Sequence, residues 1–551
     1  MELLGAADNT VNLVREKAVY GVVFILLFLL AAQCLLSMRA KSPTADEFSH
    51  HIANGYSYLL TGDFRMNPAS PPLPRMLSAL PLIFLNARAP LDDRAWQEGD
   101  SPEFARKFFY EYNHRLDDFI FLARTPIVIL SLIFGLAVFL WAKELFGIPA
   151  GIMALILYSF CPDIVAHSQL ATADLSIALF FFLSLITFRR YLNKPSVRNL
   201  VWTGAMVGLA FLSKFSAILI LPILFLIAVF SKQMKKIPIA HFAGFFLVCF
   251  MTIWAGYFFE LKPLLKNTPD PVKKERVYEK IGGPTLLRFA REIPVPLSTF
   301  SSAIVSMSVT RAHGTNAFLM GQWSGGGWWY YYFVAFLIKN TIPFVLLSVI
   351  SILWIKKIGL DRVTMLFFLV PIGFFFLVTL PDKAQAGIRY FLPIYPLFFV
   401  LSAGTAAHFW KNSSKLRAII VALLMWHAIE AARIYPNYLA YFNELIGGPK
   451  NGYKYLRDSN IDWGQDLKML GELVKNKGYK EVTLSYPWPA DPRYYKIPFR
   501  LAGPGEFLKP APTIYAISVH GLDAFSWTKQ EQPTYRVGYS IFVYDLRERV
   551  P

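Results

Sequence analysis

Eleven apolar stretches of spanning or near-spanning length recur along this chain, at about 19–38, 119–141, 148–160, 170–188, 199–213, 215–231, 239–259, 330–355, 363–380, 388–409 and 416–432. A helix needs about 20 apolar residues to cross a hydrocarbon layer roughly 30 Å thick. Backbone inside that layer must satisfy its own hydrogen bonds, so a succession of such segments points to a helical bundle in a membrane. Composition agrees, with 55% apolar and 17% charged residues, 48 Phe and 13 Trp, which a soluble domain seldom shows. The formal charge of +18, from 55 basic and 37 acidic residues, is spread over short loops between the apolar runs. That distribution fits topology signals and lipid headgroups and excludes a nucleic-acid binder. Cys34, Cys161 and Cys249 lie in or beside apolar stretches without metal-like spacing, so neither a disulfide framework nor a zinc site is indicated. The first run lacks a small-residue cleavage site and is expected to stay in place as a helix.

Loop charges predict the sidedness. The connections 141–149, 189–198, 232–236, 356–362 and 411–417 carry Lys or Arg and fall on alternate sides of the predicted spans, which assigns them to the cytoplasm. Residues 39–118, 161–170, 260–329, 381–387 and everything after about 433 then share the external face. The parity depends on 199–231 being two crossings and not one long tilted helix interrupted at Ser213-Lys214. Residues 1–432 are expected to form the membrane unit, with 39–118 and 260–329 as its large external loops. Residues 433–551 are polar and rich in Gly, Pro and Tyr, and read as a small α/β domain. In it Asp466 to Lys477 has helical spacing with Gly478 as its stop, and 481–486, 513–519 and 540–544 gather β-formers.

Ionisable residues concentrate on the predicted external side. Asp46-Glu47 follows the first span, in a loop with His50, His51, Asp63, Arg65 and the stiff run Ser70-Pro71-Pro72-Leu73-Pro74-Arg75. Transfer of a group to a hydroxyl or amine needs a base, and a carboxylate in a partly dry interface suits that task. The plainer reading of Asp46 is a cap on a helix beginning at Glu47. Asp174 opens an otherwise apolar run, where an acid marks function or simply answers the helix dipole; His167 and Asp163 share its turn. Lys214 and Arg389 stand at helix ends where a lipid phosphate would lie, and Arg grips such oxygens in bidentate fashion; snorkelling to headgroups is the plainer account. Lys143-Glu144 belongs to the opposite border. Trp323-Ser324-Gly325-Gly326-Gly327-Trp328 precedes a membrane helix and makes no nucleotide loop.

The Asp-Glu pair after the first span, Tyr58-Leu59-Leu60-Thr61-Gly62-Asp63-Phe64, Pro71-Pro72-Leu73-Pro74, Ala171-Thr172-Ala173-Asp174, Leu212-Ser213-Lys214-Phe215-Ser216 and Arg389-Tyr390-Phe391-Leu392-Pro393 resemble the membrane glycosyltransferases of the protein O-mannosyltransferase and aminoarabinose transferase group. Residues 438–448 and 458–467 resemble the tail of bacterial family-39 members. The resemblance implies the GT-C fold, a polyprenyl-phosphate sugar donor used at the outer face of a bacterial plasma membrane, and inversion at the anomeric carbon. It also implies Asp46 as base, with Glu47 beside it, and Asp174 as a second acid. Lys214 and Arg389 would contact the donor phosphate, and His50, His51, His167 and Tyr390 would line the substrate cleft. Many relatives carry a basic residue or His directly before Pro-Pro-Leu, where this chain has Ser70, so Arg65 or Arg75 is expected to substitute.

The chemistry follows from the residues as well. Cations at headgroup level stabilise the departing phosphate while a carboxylate on the far side of the sugar activates the acceptor, which is a protein, a lipid or a glycan. This logic requires no cofactor, although Asp46, Glu47 and Asp174 could hold a divalent cation if they converge. The rival reading is a polytopic lipid or glycolipid transporter or flippase. It predicts ionisable residues near mid-membrane and a repeat of broken helices, and the polar groups here gather on one face instead.

Overall fold

The computed structural model of the chain describes residues 2–234, 237–266, 271–304 and 316–548. Parts of two predicted loops, at 235–236, 267–270 and 305–315, lie outside the described residues. Every apolar run of the sequence is helical, and the breaks between helices place the polar groups. After α1 (Glu2–Arg39) come the helices α2 (Ile52–Thr61), α3 (Leu73–Ile83), α4 (Arg94–Glu98) and α5 (Ser101–Lys107). The bundle continues with α6 (Leu116–Phe146), α7 (Ile148–Ser159), α8 (Pro162–Ser168), α9 (Asp174–Asn193), α10 (Val197–Ser213), α11 (Ile220–Phe230) and α12 (Ile239–Gly256). The second large loop contains α13 (Pro271–Glu292), broken at Gly282–Gly283, and two small antiparallel pairs, β1 (Leu261–Lys262) with β2 (Val295–Pro296) and β3 (Ala317–Leu319) with β4 (Gln322–Ser324). Then follow α14 (Tyr331–Lys339), α15 (Ile342–Trp354), α16 (Arg362–Thr379), α17 (Tyr395–Asn412) and α18 (Ser414–Ile434).

Among the described residues, six helical segments are long and apolar enough to cross a membrane: 16–39, α6, α9, α12, α16, and α17 with the 3₁₀ turn Ile388–Ile394 before it. The pair α7 and α8, bent by 65° at a break where Pro162 opens α8, makes a seventh if counted as one span. The run at 330–355 is two helices, because Asn340 and Thr341 are extended and Pro343 stands in the first turn of α15. The region 199–231 is likewise two helices, parted at Lys214, whose backbone is extended at φ −160, ψ 142. Helices α10 and α12 approach closely over Gly204 and Gly208, where a Cβ on Gly208 would stand 2.6 Å from Thr252; small residues four apart permit such contacts in lipid.

Ion pairs and hydrogen bonds fix the order of the helix ends. At one border Arg189 reaches Glu144 at 2.8 Å and the Thr364 hydroxyl at 3.1 Å, and Tyr191 bonds His241 at 2.8 Å. These join the far ends of α6 and α9 to the starts of α12 and α16. The Asp46 turn, the start of α9, the end of α10 and the turn before α17 meet at the other border, as the alternation of basic loops predicts.

Beyond α18, residues 435–466 run as buried turns against the helix ends, followed by α19 (Leu467–Lys477), which Gly478 ends in a left-handed conformation at φ 63. A five-stranded sheet completes the chain, with β5 (Val482–Ser485), β6 (Phe499–Arg500), β7 (Ile514–Ser518), β8 (Tyr535–Val537) and β9 (Ile541–Asp545) in the order β6-β5-β7-β9-β8. Alternation along β7 turns Ile514 and Ala516 to the core with α19 and Tyr515 and Ile517 to the opposite face, with Phe525 and Trp527.

Candidate functional site

The turn after α1 separates its two acids. Asp46 has helical backbone angles and caps nothing, so the capping account of this residue does not apply. Glu47 opens a π-helical turn, Glu47–His51, with its side chain pointing inward. One of its oxygens accepts from the Thr44 amide at 2.8 Å, the Thr44 hydroxyl at 2.9 Å and Arg124 Nη2 at 2.7 Å. The other accepts from Arg124 Nε at 2.8 Å and the Ala171 amide at 2.7 Å. Burial raises its pKa, but Arg124 and the two amides outweigh burial and hold the carboxyl below its ordinary range. The expectation of a catalytic role for Glu47 is corrected on this geometry: five internal donors saturate a fully buried carboxylate, which fixes the turn and has no lone pair for substrate.

Asp46, Asp174, Lys214 and Arg389 converge. Arg389 Nη1 lies 3.6 Å from Asp46 Oδ2 and 3.6 Å from Asp174 Oδ2, and Lys214 Nζ lies 2.6 Å from Asp174 Oδ1. Exposure differs sharply: the Asp46 side chain is 34% exposed, Asp174 2%, Lys214 22% and Arg389 14%. Asp174 is therefore a fixed internal anion between two cations, while Asp46 is the acid of the group that opens to solvent. The Tyr390 ring sits 4.3 Å below Lys214 Nζ. Gly387, at φ 100, makes the reversal that aims Arg389. Lys214 is held in its extended break by the bond to Asp174, since neither glycine nor proline adjoins it.

The other predicted residues divide. His167 is buried beside Asp174, with Nδ1 lacking a hydrogen-bond partner among the described residues. His50 bonds Ser101 Oγ at 3.3 Å; burial lowers its pKa against the upward pull of Asp46. His51 is buried, and burial together with Arg75 and His50 keeps it well below the ordinary imidazole range. Arg75, also buried, donates to Tyr58 Oη at 2.9 Å and Asn67 O at 2.7 Å, whereas its Nε and Nη2 have no partner among the described residues. Arg65 is corrected as a donor-phosphate contact: Asp63 takes its Nε and Nη2 at 3.0 and 2.7 Å, its plane lies over Trp96, and no contact joins it to the cluster among the described residues. Of the two candidates to replace a basic residue at Ser70, Arg75 is the one with donors to spare.

Two neighbours of the cluster have no counterpart among the predicted site residues. Arg124, on α6, saturates Glu47, and Trp463, in the buried turns after α18, places its ring 4.2 Å from the Arg389 guanidinium carbon. A cation inside an apolar run hints at Arg124; nothing local marks Trp463. Among the described residues no three His, Cys, Asp or Glu side chains gather as metal ligands.

Residues 108–255, which carry Arg124, His167, Asp174 and Lys214, match the family described as Dolichyl-phosphate-mannose-protein mannosyltransferase. A comparison with curated proteins gives no match. Among solved structures, ArnT from Cupriavidus metallidurans bound to undecaprenyl phosphate is similar at 12% identity, over 95% of this chain and 97% of that one, with a TM-score of 0.49. The archaeal oligosaccharyltransferase AglB from Archaeoglobus fulgidus, in complex with an inhibitory peptide and a dolichol-phosphate, is similar at 13% identity over 96% and 75%, with a TM-score of 0.44. The matched segment spans about a quarter of the chain, from just after α5 through most of α12, and lies within the helical bundle whose apolar helices are long enough to cross a membrane.

Proposed function

We propose that the cleft transfers a sugar, hexose or pentose, from a polyprenyl-phosphate donor to an acceptor protein, lipid or glycan, with inversion, on the extracytoplasmic face of a bacterial plasma membrane. The observation that carries this reading is the unequal pair of acids on Arg389: one buried and neutralised twice, the other open and only loosely paired. Asp46 takes the proton of the acceptor nucleophile as that atom bonds to the anomeric carbon. The bond from that carbon to the phosphate oxygen breaks, and polyprenyl phosphate leaves as an anion. Lys214 and Arg389 receive the phosphate oxygens, with the spare donors of Arg75 behind them, so that charge is met where it develops. Asp174 bonds Lys214 and balances the charge of both cations. His50, His51, His167 and Tyr390 border the sugar.

Metal independence is part of the proposal, because each carboxylate of the cluster already faces a cation of the chain. Transfer in chelator-treated membranes should proceed at the untreated rate; loss restored by a divalent ion would reverse this point. Asp46→Asn should insert and fold as the native protein does while losing transfer from a polyprenyl-phosphate sugar, and near-native transfer would remove Asp46 as base. Mass analysis of envelope glycans and glycolipids with and without the gene identifies the sugar and the acceptor class. External labelling of a single cysteine placed near residue 505 tests the sidedness.

A further inference from the structure

We infer that Trp463 is a positioning residue for Arg389, which makes the segment 458–466 a working wall of the transfer site and not a cap resting on it. The inference rests on the transferase reading above. Arg389 Nη1 stands 3.6 Å from both carboxylates, longer than the 2.7–2.9 Å usual for a charge-assisted bond. Neither acid therefore fixes the guanidinium. Two other contacts do: Arg389 Nε donates to Ala386 O at 3.1 Å, and the plane lies over the Trp463 ring at 4.2 Å. That ring is 3% exposed and cannot swing aside.

The same residue touches the base turn. Trp463 O accepts from the amide of Ala45, next to Asp46, at 2.9 Å, and Gln465 O accepts from Ser42 at 3.0 Å. On the other flank Asn460 Oδ1 accepts from the Ile388 amide at 3.0 Å, and Ser459 Oγ donates to Ala386 O at 2.7 Å. Asp462 anchors the segment to the C-terminal sheet by accepting from Ser518 Oγ, Trp488 Nε1 and the Gly464 amide. One short stretch of chain thus sets the separation between base and cation. Without the ring, the guanidinium closes onto one of its acids as a bidentate pair. The phosphate then loses its fork.

The test compares Trp463→Leu, which stays apolar and removes the π face, with Trp463→Phe, which keeps a face. A cation–π contact is worth from a few-fold when exposed to about thirtyfold when desolvated. Expected for Trp463→Leu are a fall of about tenfold in kcat/KM for the donor and an unchanged acceptor KM, with Trp463→Phe within about threefold of native. Equal losses in both variants, no loss in Trp463→Leu, or a loss carried by acceptor KM would overturn the inference. Should the native protein transfer no polyprenyl-phosphate sugar, the functional reading fails by itself. Binding of polyprenyl phosphate, followed by native mass spectrometry, then decides for Trp463: retention weakened in Trp463→Leu and kept in Trp463→Phe supports it, and equal retention rejects it.

Discussion

The two borders of the helical bundle use charge in opposite ways. At the border away from the site, Glu144 is 41% exposed and pairs with Arg189 and Arg190, and Asp361 caps its own helix. At the site border the pairs Glu47–Arg124 and Asp174–Lys214 join distant segments, and Glu47, Arg124 and Asp174 are almost wholly buried. Exposed pairs contribute about 0–1 kcal/mol, while burying charge carries a desolvation cost that good geometry does no more than offset. A chain that needed stability alone would place apolar residues there. The contrast teaches that ionisable groups at the site border serve position and chemistry.

Replacing Asp46 by Asn is the sharpest probe, with an expected loss of about 10²–10⁴-fold in transfer, the range for a positioned base, and no change in unfolding temperature. Glu47→Ala should cost about 3–5 kcal/mol by leaving Arg124 buried and unpaired. Glu144→Ala, at the other border, should cost under about 1 kcal/mol. Thermal unfolding in detergent measures both, and equal losses would erase the comparison. Asp174→Asn should raise donor KM about tenfold, because a lone buried charge partner contributes on the order of 1.4 kcal/mol or more to aiming Lys214; a change confined to acceptor KM would give Asp174 another task. Arg75→Gln should reduce donor affinity, whereas Arg65→Gln should leave it within about twofold, as expected for a partly exposed residue already paired. The smallest effect is on pH. His50 and His51 have folded values depressed below the ordinary 6.5. Their neutral forms thus favour the fold above that pH, and the benefit is lost as pH falls through the depressed values. The unfolding temperature should drop between pH 7.5 and pH 5.5, and His51→Gln should flatten that slope.

Much of this was legible in residue order. Apolar period and length locate most helices of the bundle, but α8 lies where a turn is expected at 161–170 and the single run at 330–355 is two helices, while Lys or Arg in alternate loops assigns the ends that meet. Asp46, Asp174, Lys214, Arg389 and Tyr390 stand next to helix breaks at one border, so sidedness alone gathers them. In the C-terminal region β5, β7 and β9 are read from their β-formers, while β6 and β8, of two and three residues, are too short to signal. What escapes is pairing at a distance. Neighbouring acids look alike until Arg124, 77 residues further on, takes one of them. Arg65 looks free until the chain folds it back on Asp63, and Trp463 has no periodicity that would aim it at Arg389.

The saturated carboxylate of Glu47 has a consequence for the order of biosynthesis. Its donors come from Thr44, Arg124 and Ala171, so the chain leaving the ribosome offers two of the five before α6 is made and four once Arg124 has emerged. Only when residue 171 emerges is the set complete. Nascent chains halted short of that point should expose the amino-terminal loop to protease, and those halted a few dozen residues beyond should shield it.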